Sequence, residues 1–131
     1  MKFNRGVISI IILNILLLLS SCNREGGIFD DREFLDNIYV DVPETDYQLL
    51  IKEWRWLLGS GEEIYLIDKT KEDEEAVYLG KCTGGDDGYC PFNDGKYTVT
   101  YSDGKIEISW LFNKGGEESK EAWRSKTFDI P

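Results

Sequence analysis

The clearest hydrophobic pattern in this chain is an alternation of apolar and polar residues on both sides of Ser102-Asp103-Gly104. A period of two is typical of a half-buried β-strand, and Asp-Gly between two such runs is a strong signal for a tight hairpin turn. The pattern therefore predicts strands over residues 96–101 and 105–112, with these residues on their apolar faces: Tyr97, Val99, Tyr101, Ile106, Ile108, Trp110 and Phe112.

Shorter runs of similar composition predict further strands on either side of this hairpin. A first strand covers residues 37–42 and is ended by Pro43. Two more, over 62–68 and 75–81, are joined by the charged turn 69–74, and a last strand covers 123–130. Each run is bounded by turn-forming or charged residues, as expected for short antiparallel strands.

The segment 47–58 supports two interpretations. As a helix it has Asp46 as its N-cap, Gly59 just past its end and a continuous apolar face. As a strand it is rich in Trp, Leu and Ile and runs into a turn at Gly59-Ser60-Gly61, so that it pairs with the following strand. We favour the hairpin, because the rest of the chain is a succession of hairpins that needs strand partners.

These elements predict an all-β or mainly β domain. We expect a small antiparallel meander of six to seven strands that forms a barrel or a sandwich, with one helix at 47–58 as the alternative for that segment. The polar and acidic stretch before residue 37 is expected to be a tether, with one helical turn at residues 31–35.

The first 22 residues have a different composition. Lys2 and Arg5 give a positively charged start, residues 6–19 are apolar over a length that suits a secretory signal but is short for a membrane-spanning helix, and the run ends in Leu19-Ser20-Ser21-Cys22. This ending resembles the lipobox of bacterial lipoproteins, which has a branched apolar residue, two small residues and then cysteine. The alternative is an uncleaved signal anchor in which Cys22 is an ordinary small residue.

The resemblance implies that residues 1–21 are a signal peptide and that Cys22 carries the lipid. Residues 22–36 would then be a lipidated tether, and residues 37–131 a single domain in the bacterial cell envelope. Two or more acyl chains make such anchoring to the membrane stable. Residue 23, which directly follows Cys22, is Asn and not Asp. In a Gram-negative cell this favours the outer membrane, by resemblance to the usual sorting rule for lipoproteins.

Charge narrows the choice of partner. The net charge is −10, and loss of residues 1–21 removes Lys2 and Arg5, so that the mature chain carries −12. Phosphate would repel such a domain, which excludes nucleic acid as an expected partner. A basic protein is compatible with the charge, although acidity is also a common means of staying soluble.

Two cysteines remain after Cys22, and export would place them in an oxidising compartment. An even pair usually forms a disulfide there, so the sequence predicts a bond between Cys82 and Cys90. Because the chain has no histidine, Ser-His-Asp and Cys-His catalytic arrangements are excluded. Neither a cofactor nor a metal is predicted, and the chain is not expected to be an enzyme.

The aromatic residues suggest a binding role. Trp54 and Trp56 stand among Lys52, Glu53 and Arg55, which makes them the candidates for an exposed partner-binding surface. We therefore expect a binding, inhibitory or immunity-type module directed at a protein, similar in general make-up to lipoprotein immunity factors and lysozyme inhibitors. The alternatives are an assembly accessory of an envelope complex and, in third place, a small-ligand carrier or enzyme.

Overall fold

The computed structural model describes residues 31–73 and 75–131, which form two antiparallel sheets. The first sheet contains β1 (Glu33–Phe34), β2 (Ile38–Asp41), β3 (Tyr47–Trp56), β4 (Gly59–Asp68) and β5 (Val77–Cys82). The second contains β6 (Tyr97–Ser102), β7 (Lys105–Leu111) and β8 (Trp123–Asp129). The mainly β prediction is confirmed.

The sheets are arranged as a sandwich, which is one of the two architectures, barrel or sandwich, that the sequence left open. In the first sheet, β3 pairs with β1 and β2 along one edge and with β4 along the other, and β5 pairs with β4. In the second sheet, β7 lies between β6 and β8. Inward-facing side chains of both sheets form a single core, which includes Leu49, Ile51, Ile64, Leu66, Phe92, Ile106, Ile108, Trp110 and Phe128.

Residues 47–58 are extended, as the hairpin interpretation predicted, but the predicted position of the turn is wrong. Leu57 and Leu58 form the turn, and Gly59 already pairs with Trp56 as part of β4. The glycines belong to the strand for a steric reason. A Cβ on Gly61 would overlap the ring of Trp54, and one on Gly59 would lie 2.8 Å from Nε1 of Trp56.

The hairpin between β6 and β7 confirms the strongest signal in the sequence. Asp103 and Gly104 both have positive φ, 53° and 75°, which is the backbone of a type I′ turn. The strand β7 ends at Leu111, one residue before the predicted end. Phe112 lies just beyond it, half-buried, with the guanidinium of Arg124 4.6 Å from the centre of its ring.

The amino-terminal end of the described chain differs from the prediction. The helical turn expected at residues 31–35 is wrong, because Glu33 and Phe34 form β1 and pair with Arg55 and Trp54. The side chains of Glu33 and Arg55 also form an ion pair of 3.0 Å. Pairing with the sheet therefore begins before residue 37, inside the range predicted to be the tether.

The connection 83–96 crosses from the first sheet to the second. Its backbone is fixed by the N–H of Asp86, which donates to the carbonyl of Phe112 over 2.8 Å. The indole N–H of Trp110 donates to the carbonyl of Gly84 over 3.0 Å. This connection therefore lies against the core, where it meets the two buried glutamates described below.

Candidate functional site

The outer face of the five-stranded sheet carries a cluster of aromatic side chains. Trp54 and Trp56 point outwards from β3 and are half-buried, because each covers a glycine of β4. The pairing of strands places four more rings on the same side of the sheet, since directly opposed residues of antiparallel strands project together. We call this set the aromatic face: Phe34, Tyr39, Trp54, Trp56, Tyr65 and Tyr78.

Several of these rings are open to solvent. Phe34, Tyr39 and Tyr78 are 50%, 57% and 52% exposed, which is high for large apolar side chains. Tyr65 and Tyr78 contact each other edge to face, with ring centres 5.4 Å apart. An exposed apolar cluster of this kind is typical of an interaction site.

The outer face of the three-stranded sheet is chemically different. Its side chains are mostly hydroxyls, among them those of Ser109 and Ser125, whose oxygens are 2.7 Å apart across β7 and β8. The six large apolar side chains found exposed among the described residues all belong to the five-stranded sheet or to the turn between β3 and β4: Phe34, Tyr39, Leu57, Leu58, Val77 and Tyr78. Three of them, Phe34, Tyr39 and Tyr78, lie on the aromatic face, whereas the hydroxyl-rich outer face of the three-stranded sheet carries one large aromatic ring, the half-buried Trp123.

The interior of the sandwich contains an unusual pair of acidic residues. Glu53 and Glu62 are opposite each other on β3 and β4, and both are fully buried. Glu53 accepts three hydrogen bonds from the connection: from the backbone N–H of Phe92 at 3.0 Å, and from the backbone N–H and the side-chain amide of Asn93 at 2.8 and 2.9 Å. Glu62 accepts one, from the N–H of Gly84, at 3.0 Å.

The pair is more stable when Glu62 holds a proton. Burial, and next the adjacent carboxyl of Glu53, raise the pKa of Glu62 from 4.5 to about 9. As a carboxylate, Glu62 would leave Oε1 without a hydrogen-bond partner among the described residues. As a carboxylic acid it can donate to Glu53, which removes both the like-charge repulsion and the unsatisfied oxygen. The two glutamates thus fasten the connection to β3 and β4.

The two cysteines lie close to these glutamates. Cys82 is buried opposite Glu62 on β5, and Cys90 is half-buried in the connection. Burial raises the pKa of both thiols, to about 12 for Cys82 and about 11 for Cys90, and the nearby carboxyls of Glu62 and Glu53 add to the effect. Both residues are free thiols in the structure, so the disulfide stays a prediction without structural support.

A polar groove of about 740 Å³ opens near the end of the β3–β4 hairpin. It combines cationic and anionic side chains, and the hydroxyl of Tyr89 donates to Asp94 over 2.6 Å. No group of three or more His, Cys, Asp or Glu side chains suited to a metal is present in residues 31–73 and 75–131. The groove is lined by Arg55, Asp86, Asp87, Gly88, Tyr89, Cys90, Asp94, Asn113 and Lys114.

The residues predicted to be functional are distributed over three regions. Trp54 and Trp56 lie together on the aromatic face, Cys82 and Cys90 lie near the buried carboxyls, and Cys22 is outside the described residues. The sequence analysis named Glu53 only as a polar neighbour of the tryptophans and did not single out Glu62. The signal was available, because Glu53 continues the inward alternation of Leu49 and Ile51.

No protein-family model, no curated protein and no solved structure matches this chain. Within the described part of the chain, none of the helical segments has the length and apolar character that crossing a membrane requires.

Proposed function

We propose that this chain is a lipid-anchored protein of the bacterial envelope whose β-sandwich binds a protein partner through the aromatic face. The observation that carries the proposal is the contrast between the two outer faces. One presents half-exposed Phe34, Tyr39 and Tyr78, and the other presents mostly hydroxyl side chains with the single half-buried ring of Trp123. Trp and Tyr are enriched among residues that dominate binding energy in protein interfaces, because they bury a large area at low entropic cost.

The distribution of charge suggests how such a partner would be recognised. Strand register places Lys52, Glu63 and Lys81 among the aromatic rings, so that this face does not share the strong acidity of the chain. The acidic charge would act at longer range, by steering a basic partner towards the domain, while apolar contacts hold it.

Binding fits the interior chemistry better than catalysis does. The raised pKa values of Cys82 and Cys90 keep both thiols protonated at neutral pH, and a thiol is a much weaker nucleophile than a thiolate. Glu53 and Glu62 are wholly enclosed and hydrogen-bonded to the connection, which gives them a structural role in the folded domain.

The anchor on Cys22 is the second part of the proposal. Its support is the lipobox-like ending Leu19-Ser20-Ser21-Cys22, which follows a charged start and an apolar run. A tether of this kind raises the effective concentration of the domain against proteins that cross or occupy the same layer. Metabolic labelling with a radioactive fatty acid should label the wild-type chain and leave Cys22→Ser unlabelled. Equal labelling of both chains would refute this part.

Site-specific photo-crosslinking in living cells tests the binding surface. A photoreactive amino acid at Tyr39 or Tyr78 should yield a discrete crosslinked product with another protein, because both side chains are half-exposed on the aromatic face. The same group at Thr98 or Thr127, exposed on β6 and β8, is the matched control and should yield none. Crosslinks from the control positions alone, or equally from both faces, would contradict the proposal.

A further inference from the structure

The turn between β3 and β4 exposes two adjacent leucines. Leu57 is 91% exposed and Leu58 is 74% exposed, the highest values among the large apolar side chains found exposed in the described residues. We call this pair the hairpin tip. It ends two strands of ten residues each, the longest described, and exposure of two leucines at such a position costs solubility unless something covers them.

Two tryptophans lie directly behind the hairpin tip. Trp56 immediately precedes Leu57 and pairs with Gly59. Trp54 is the preceding outward-facing residue of β3, two positions further from the tip. Both indoles are half-buried on the side of the sheet that faces solvent. Leucines at an apex with tryptophans behind them match the arrangement that lipid interfaces favour, because indole rings are enriched at the level of the headgroups.

The chain also enters the domain at this end. Glu33 and Phe34 pair with Arg55 and Trp54, so the first strand lies beside the last residues of β3 before the hairpin tip. Residue 33 is eleven positions from Cys22. A chain of that length spans at most about 40 Å, so acyl chains on Cys22 would keep the domain within that distance of the bilayer, with its point of attachment at this end of the sandwich.

We propose that the hairpin tip docks into the interfacial layer of the bilayer that holds the acyl chains of Cys22. Leu57 and Leu58 enter the boundary between headgroups and acyl chains with Trp54 and Trp56 beside it. The domain thereby gains a fixed orientation in which Tyr39 and Tyr78, in the row of Leu50 and Tyr65 further from the tip, stay available to the protein partner. The inference rests on the proposed lipid anchor. Near the tip, two cationic side chains stand with four acidic ones, Arg55 and Lys114 with Glu33, Asp86, Asp87 and Asp94, and this net negative charge suits a zwitterionic headgroup better than an anionic one.

Reconstitution of the lipidated chain tests this orientation. The protein isolated from its membrane is placed in phosphatidylcholine vesicles, some of which carry bromine on the acyl chains, and tryptophan fluorescence is recorded. Bromine quenches nearby indoles, so Trp54 and Trp56 should be quenched in the wild type. The double variant Leu57→Ser/Leu58→Ser should lose about half or more of that quenching, because its tip no longer favours the lipid boundary.

Val77→Ser is the matched control. Val77 is 48% exposed and pairs with Leu66, seven positions along β4 from Gly59, so it lies at the far end of the sheet. The fluorescence quenching of the Val77→Ser variant should equal that of the wild type. Circular dichroism of all three proteins shows whether the fold is retained, and because every substituted side chain is exposed, we expect no loss.

The outcomes separate this proposal from the one on which it rests. Mass spectrometry of the isolated chain reports lipid on Cys22, and its absence would refute the anchor and the docking together. A lipidated, vesicle-bound protein with no quenching above the level of the double variant would overturn the docking and leave the anchor intact. Burial of the tip in native membranes but not in pure lipid would assign it to a protein contact, which also overturns the proposal.

Discussion

At the scale of single residues, the buried pair Glu53 and Glu62 has the largest expected effect on stability. In the folded chain Glu62 keeps its proton up to about pH 9, whereas an exposed glutamate loses it near pH 4.5. Between these values the folded state binds a proton that the unfolded state has lost. The free energy of unfolding therefore falls as pH rises from about 4.5 to 9 and levels off above that range.

The substitution Glu62→Gln should remove much of this pH dependence. Glutamine stays neutral, can accept from the N–H of Gly84 and can donate to Glu53. The wild type should lose up to about 1.4 kcal/mol per pH unit within the window, and the variant should be the more stable protein near pH 9. Urea unfolding at several pH values measures this. Glu107→Gln, exposed on β7, is the control, and parallel profiles for wild type and Glu62→Gln would contradict the account.

Glu53, the other member of the buried pair, should tolerate substitution by glutamine poorly. Both oxygens of Glu53 accept N–H donors from Phe92 and Asn93, so an amide nitrogen in place of either oxygen would face a donor. We expect Glu53→Gln to lower the free energy of unfolding by about 1–3 kcal/mol at pH 7. Urea unfolding of Glu53→Gln and Glu62→Gln side by side tests the asymmetry, which equal effects would refute.

The disulfide remains a prediction at this scale. Oxidation of Cys82 and Cys90 would make the mature protein lighter by two hydrogen atoms than its dithiol form, which intact mass without reductant detects. The structure has both residues as thiols with raised pKa values, so unpaired residues should react slowly with alkylating reagents at neutral pH. Two free thiols in freshly isolated protein would refute the bond.

At the scale of elements, the β3–β4 hairpin shows what the pattern of residues could predict. Alternation and composition were enough to favour two strands over 47–68, and Asp103-Gly104 was enough to place the other hairpin turn. The turn at Leu57-Leu58 was not predictable from turn propensity, because glycines normally mark such turns. Here Gly59 and Gly61 lie within β4 and leave room for the indole rings of Trp56 and Trp54 on β3. This is a contact between strands, and a local sequence pattern cannot indicate it.

The role of Gly61 can be tested directly. Gly61→Ala should displace the ring of Trp54 and lower the free energy of unfolding by about 1–3 kcal/mol, because a Cβ would overlap that ring. In a Trp54→Ala background the same change should cost nothing or stabilise the strand, since the obstructing ring is gone. Thermal unfolding of the two single variants and the double variant completes the cycle, and additive losses would contradict the packing described.

At the scale of the whole molecule, the sequence predicted a single mainly β domain but could not decide between barrel and sandwich. That choice depends on how the connection 83–96 packs between the sheets, and its anchors Glu53 and Glu62 are distant from it in sequence. The aromatic face was predictable only in part. Trp54 and Trp56 drew attention as exposed candidates, whereas Phe34, Tyr39 and Tyr78 join them only through strand pairing.

The affinity of the crosslinked partner for variants of the aromatic face is the most direct measurement of the proposed function. Tyr39→Ser/Tyr78→Ser should raise the dissociation constant by about tenfold or more, because two half-exposed aromatic contacts are lost. Thr98→Ala/Thr127→Ala, on the opposite face, should leave the constant unchanged. An unchanged constant for the tyrosine variant, or an equal loss in both variants, would contradict the assignment of the aromatic face as the binding surface.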